Sequence, residues 1–188
     1  MQGIMSRLKK YIKNACIVFV LLFICKGFLY RKLVNYTKID TRENYAITNE
    51  NLLQTVETAI KDKELAIDDI IKLSLEITTK QLHFEVAEAS NNPNINFTTQ
   101  KAHCVGYASL CNSIGNYILR EKNLAEIYEF KHVVGTIEFL GYNVNDIIQN
   151  PFFKDHDYNE ILNKETGEKQ FIDASVYDYT WIKRMRSE

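Results

Sequence analysis

The segment running from Gln100 through His103, Cys104, Val105, Gly106 and Tyr107 constrains this chain most, because it sets a cysteine at the mouth of a helix. Before it lies a polar, loop-like run from Asn91 to Thr99. After it, Tyr107, Ala108, Cys111, Ile114, Gly115 and Ile118 recur at three- and four-residue steps, the period of a helix with one buried face. Cys104 therefore falls in or beside the first turn, where unpaired N–H groups and the positive end of the helix dipole favour an anion. A thiol placed there is shifted toward the thiolate, its nucleophilic form.

A nucleophile needs a base, and the base needs a group to orient it. His156-Asp157-Tyr158-Asn159-Glu160-Ile161-Leu162 reads as a short strand, residues 163–169 as its turn, and Gln170-Phe171-Ile172-Asp173-Ala174-Ser175 as the returning strand. Such a hairpin puts the start of one strand beside the end of the next, so His156 and Asp173 become neighbours. Cys104, His156 and Asp173 then form a candidate thiol triad in that chain order.

Four motifs carry a family resemblance: Cys104-Val105-Gly106-Tyr107-Ala108-Ser109-Leu110, then Val133-Val134-Gly135, then His156, and finally Phe171-Ile172-Asp173-Ala174-Ser175. Over residues 65–180 the chain resembles the transglutaminase-like superfamily. The resemblance implies an α+β fold with a papain-like core, in which N-terminal helices and a nucleophile-bearing helix pack on an antiparallel β-sheet. It also implies that Cys104, His156 and Asp173 are catalytic. Departures from the family pattern are Ala102 where glycine is usual, Tyr158 where tryptophan is common, and Asp157 in place of a small residue. The step from Cys104 to His156 is long for the family, which places extra residues in the loop around Phe139–Phe153.

At 188 residues the chain has room for one domain and an appendage, and 46% hydrophobic residues supply a core. A formal net charge of −1 gives no reason to expect nucleic acid as a partner. Cys104 and Cys111 share a helix and lie about 10 Å apart at ~1.5 Å per residue. That is beyond the roughly 7 Å reach of a disulfide, so Cys111 reads as a small core residue. His103, Cys104, Cys111, His132 and His156 lack the paired spacing of a zinc site. Neither a metal nor another cofactor is expected.

The N-terminus is basic (Arg7, Lys9, Lys10, Lys13) and leads into an uncharged run, Ala15 to Cys25. That run alone is short for a membrane span, but counting from Tyr11 to Tyr30 supplies the roughly 20 residues required, with Lys13 and Lys26 reaching toward the interfaces. A cleaved signal peptide competes with this reading, although no small-x-small site follows the core. The expected organisation is an anchor or signal segment over 1–32, a polar linker over 33–48 and the transglutaminase-like domain over 49–188. The anchor is expected to hold the domain on the extracytoplasmic side, and cleavage would release it as a secreted protein.

Thr48 or Asn49 is expected to cap a helix carrying Leu52, Leu53, Val56 and Ile60, and Asp68 or Asp69 to open a second with Ile70, Ile71, Leu75 and Leu82 inward. The residues from Ile127 to Phe139 alternate like a strand, in which His132 is expected to be structural for want of an acid at hairpin distance. Pro151-Phe152-Phe153 either lines a cleft or plugs a sheet edge. Gln100 is a weak candidate for an oxyanion donor beside the Cys104 N–H. The expected chemistry is attack on an amide or peptide carbonyl of a protein or peptide substrate, giving a thioester that water or an amine resolves. A non-catalytic binding or assembly module built on the same fold is the alternative.

Overall fold

The computed structural model describes residues 2–86 and 90–187. Helix α1 spans Gln2–Leu33 and runs straight into strand β1, Val34–Arg42. Helices α2 (Glu50–Ile60) and α3 (Ile67–Gln81) follow, then the short strand β2 (His83–Phe84), helix α4 (Pro93–Thr99) and strand β3 (Lys101–Ala102). The long helix α5 (Cys104–Glu121) precedes strands β4 (Tyr128–Phe139) and β5 (Tyr142–Asn143). Helix α6 (Val144–Ile147) and a 3-10 turn at Pro151–Phe153 lead to strands β6 (His156–Asn163) and β7 (Lys169–Ile172), and helix α7 (Ala174–Thr180) closes the fold. The result is an α+β protein with an antiparallel sheet ordered β1-β4-β6-β7, β5 pairing with β4.

Local chemistry accounts for the helix starts. Asn49 caps α2 by accepting the Leu52 N–H at 3.1 Å, and Asp69 reaches back to the Ala66 N–H at 3.2 Å to open α3. Residues expected to be a linker instead form β1, which pairs with β4 from Val34 opposite Phe139 to Arg42 opposite His132. Only Tyr36 of β1 is fully buried, so an edge strand with mostly polar faces carries little periodic signal. The run taken as a loop before the nucleophile holds α4 instead, with Asn92 as cap and Pro93 in its first turn. The returning strand stops at Ile172, and Asp173 becomes the N-cap of α7. His83 sits in β2, opposite Lys101 of β3.

Helix α5 is the centre of the core. Leu110, Cys111, Ile114 and Ile118 are fully buried in it, packed with Ile70 and Leu75 of α3 and with Phe130, Ile161 and Ile172 of the sheet. Burying each large aliphatic side chain contributes roughly 1.5–3 kcal/mol. Three of them outweigh the ~1 kcal/mol that each of Gly106 and Gly115 costs a helix. Asn112 and Asn116 both donate to the Phe130 carbonyl, at 2.9 and 2.8 Å, and Asn159 donates to the Ala108 carbonyl at 3.0 Å, which fixes the helix on the strands. The opposite face of the sheet carries Tyr36, Val133 and Tyr158 under Ile182 and Met185 of the C-terminal tail.

Gly135 pairs with His156 across β4 and β6. A Cβ there would lie 2.5 Å from the Thr37 carbonyl oxygen and 2.9 Å from the Tyr158 ring, so the sheet has no room for one. Gly135→Ala is expected to lower stability by about 1–3 kcal/mol, read as an earlier urea midpoint for the detergent-solubilised chain. An unchanged midpoint would contradict this packing.

Candidate active site

Cys104 is the first residue of α5 and is 7% exposed. His103 caps the helix in extended backbone, its Nδ1 accepting the Val105 N–H at 3.4 Å. The same Nδ1 lies 3.9 Å from the Cys104 sulfur. The strand β3 and the tight packing of Gly106 against Ala102 and Asn96 hold this turn in place. A Cβ on Gly106 would come within 2.6 Å of Ala102 Cβ, so the residue two places after the thiol must be small.

His156 opens β6, and its Nε2 lies 2.6 Å from Oδ2 of Asp173. The imidazole also acts on the Cys104 thiol as hydrogen-bond partner and as charge. With Nε2 committed to the carboxylate, Nδ1 is the nitrogen left for sulfur. Asp173 is almost wholly buried but fully satisfied: Oδ2 also accepts from the Tyr36 hydroxyl at 2.9 Å, and Oδ1 accepts from Ser175 Oγ at 2.7 Å and from the Val176 N–H at 3.1 Å. Burial and the Asp173 charge hold the Tyr36 hydroxyl well above its usual pKa, so it stays a donor. Its own proton being given to Asp173, Tyr36 takes the 2.7 Å hydrogen bond of the Tyr30 hydroxyl as acceptor. The structure thus brings Cys104, His156 and Asp173 together.

Burial by itself would raise the Cys104 pKa. The contacts with His103 and His156, the His156 charge and the Asp157 backbone N–H reverse this and bring it down to about 6. Burial would lower the His156 pKa, but the charge and hydrogen bond of Asp173, with the sulfur contact, lift it to about 10. The Asp173 carboxyl is pushed up by burial and more strongly down by His156, Ser175 and the Val176 N–H, ending below its ordinary value. The thiol is deprotonated above about 6 and the imidazole protonated below about 10, so both are charged at neutral pH. Burial pushes the Cys111 thiol the other way, up to about 12.

A second His–Asp pair lies alongside. His132 Nε2 is 2.6 Å from Oδ2 of Asp157, and Arg42 grips the same carboxylate through Nε at 2.6 Å and Nη2 at 3.2 Å. His132 thus has an acid after all, supplied diagonally across the β4–β6 pairing rather than by a hairpin. The Asp157 backbone N–H favours the Cys104 thiolate, and this cluster pins the strand that carries it. His103, Arg42 and Asp157 are site residues that sequence reasoning passed over, although the adjacency of His103 to Cys104 was visible. Gln100, by contrast, is solvent-exposed at the left-handed end of α4, where its carbonyl accepts the His83 N–H at 2.8 Å. It is a C-cap residue there.

Cys104 and His156 open onto a cleft of about 380 Å³ walled by Phe84, Phe152, Phe153 and Val176. Phe152 and Phe153 therefore line the cleft and do not merely plug the sheet edge. Tyr30, at the end of α1, completes the wall.

Alkylation of Cys104 by iodoacetamide is expected to reach half its maximal rate near pH 6, well below the ~8.5 of a free cysteine. In His156→Ala the midpoint moves upward, because a hydrogen bond and a positive charge that favour the thiolate are lost. Peptide-mapped rates across pH check both, and a wild-type midpoint in the ordinary thiol range contradicts the ion pair. No protein-family model, curated protein or solved structure matches the chain, so the functional reading stands on this geometry.

Proposed function

We propose that the chain is a membrane-tethered thiol enzyme of transglutaminase-like, papain-related design that opens amide or peptide carbonyls through a thioester acyl-enzyme. The observation that carries the reading is the 2.6 Å hydrogen bond between His156 Nε2 and Asp173 Oδ2, with His156 and Cys104 lining the mouth of one cleft. The thiolate adds to the carbonyl carbon, and the oxyanion is met by the Cys104 N–H, which opens α5 and has no intrahelical acceptor. The His156 imidazolium gives its proton to the leaving amine as the C–N bond breaks. Water, deprotonated by the now neutral His156, then displaces the sulfur and releases the acid. Asp173 holds the tautomer and the charge of His156 throughout.

Water is the proposed acceptor, with an amine as the alternative that would make the enzyme a transferase. The segment Tyr11–Leu33, mean hydropathy 2.0, is long and apolar enough to cross a membrane. We read it as an uncleaved anchor with the domain outside the cytoplasm. In support, Tyr30 walls the cleft and bonds Tyr36, so removal of the segment would strip part of the site.

Cys104→Ala is expected to reduce hydrolysis of peptide amides by at least about a thousandfold, and Asp173→Asn by about a hundred- to ten-thousandfold. Acid quenching of the wild type should trap an acyl group on Cys104, seen by mass spectrometry. Undiminished hydrolysis in Cys104→Ala would remove the nucleophile from the mechanism, and absence of any turnover with an ordinary thiol pKa would favour a binding module.

A further inference from the structure

The walls of the cleft are rings and hydrocarbon. Phe84 stands edge-on to Phe152 and to Tyr179, with ring centroids 6.1 and 6.4 Å apart. Ile137, Val144 and Val176 add aliphatic surface, and besides Cys104, His156 and the Tyr30 and Tyr179 hydroxyls the polar side chains among the described lining are Asp155, Ser175 and Thr180. A peptide main chain laid in such a cleft would lose water from N–H and C=O groups that find few partners, a costly exchange. An alkyl chain loses nothing of the kind, and the volume lies within the roughly 300–1,000 Å³ of small-ligand sites.

The position of the cleft along α1 says where such a chain would come from. About 20 helical residues cross the hydrocarbon of a bilayer, and counted from Tyr11 they end at Tyr30, the residue that walls the cleft. The surface at this level is apolar and aromatic. Leu140, whose N–H donates to the Leu33 carbonyl at 2.8 Å, is 57% exposed, and Trp181 is 63% exposed with the Lys26 ammonium 4.8 Å above its ring. Tryptophan beside lysine is what the headgroup layer of a membrane favours. Lys26, Arg31 and Lys183 border the adjoining notch, in which Arg184 is paired with Asp68 at 2.7 Å, and these cations suit a polar headgroup layer.

The geometry points to a membrane-resident acyl amphiphile as the substrate, its acyl chain entering the cleft from the lipid and its carbonyl reaching Cys104. This rests on the thiol-enzyme reading and on α1 lying in the bilayer, and it replaces the peptide by an acyl amphiphile as the source of the carbonyl. The Cys104 thiolate forms a C–S bond to the acyl carbon while the bond to the amine or alcohol headgroup breaks, and the departing group takes the His156 proton. Water then forms the new C–O bond, the C–S bond breaks, and a fatty acid leaves with thiolate and imidazolium restored.

The test uses the full chain in phosphatidylcholine nanodiscs with the 4-nitrophenyl esters of acetate, octanoate and dodecanoate, and of N-acetylphenylalanine as the peptide-like guest. Nitrophenolate release gives kcat/KM, and intact mass identifies the acyl group on Cys104. The expected result is a rise of at least about tenfold from acetate to dodecanoate, a preference for dodecanoate over the phenylalanine ester, and a flattened series in Phe153→Asp. A flat series or a preference for the phenylalanine ester, with Cys104 still acylated, overturns the lipid assignment and leaves the enzyme reading standing. A chain-length trend unchanged in Phe153→Asp reflects partition into the disc and also overturns it. Acylation of Cys104 by none of the four esters sinks the thiol-enzyme reading itself.

Discussion

The site hangs on one buried carboxylate. Asp173 sits in a setting that would ordinarily neutralise it, and four donors keep it charged: His156, Tyr36, Ser175 and the Val176 N–H. Breaking a buried pair by removing one member leaves an uncompensated charge, at a cost of about 3–5 kcal/mol. The donors come from β6, β1 and the first turn of α7, so three separate elements must be in place before the carboxylate is stable. The same residue terminates β7 and caps α7. Strand end, helix start and base-orienting group are therefore one decision of the fold.

The two His–Asp pairs show how environment separates similar residues. His156 faces a thiol and stands at the mouth of a cleft, with its side chain 17% exposed. His132 is sealed, its side chain 1% exposed, and shares Asp157 with Arg42. The first arrangement leaves one ring nitrogen free to face the Cys104 thiol. The second uses a carboxylate, an imidazole and a guanidinium to lock β1, β4 and β6 together beside Cys104, and the Asp157 backbone N–H of that strand favours the thiolate. The partner of the thiol and the rigidity of its frame are thus supplied by adjacent residues of one strand, His156 and Asp157.

Where local chemistry dominates, the sequence was readable. The helix start at Cys104, the cap of α2, the inward faces of Ile70, Leu75 and Ile114, and the hairpin joining His156 to Asp173 all follow from spacing within a few residues, whereas α3 opens at Ala66 and Ile67, ahead of the expected Asp68 or Asp69. Where long-range pairing dominates, it was not. β1 is recognisable only from its partner β4, because eight of its nine positions lack full burial. The acid that holds His132 lies diagonally across a strand pairing, and the cleft wall formed by Tyr30 depends on how α1 meets the domain. Asp157 looked like a departure from a family pattern, and its partners come from strands distant in the chain.

The continuity of α1 into β1 gives the apolar N-terminal segment a second consequence. The strand it feeds buries a single residue, Tyr36, and that residue gives its hydroxyl proton to Asp173 while accepting from Tyr30. A line of hydroxyls therefore runs from the end of the apolar helix to the carboxylate that holds His156. Tyr30 is fixed along α1 by helix geometry and Tyr36 along β1 by the sheet, so their 2.7 Å contact ties the angle between helix and sheet to the donor set of Asp173. A helix used only as a tether would need no such bond, and a flexible linker would not preserve it. Direct entry of the helix into the edge strand, with no residue between Leu33 and Val34, makes the apolar segment a structural part of the site.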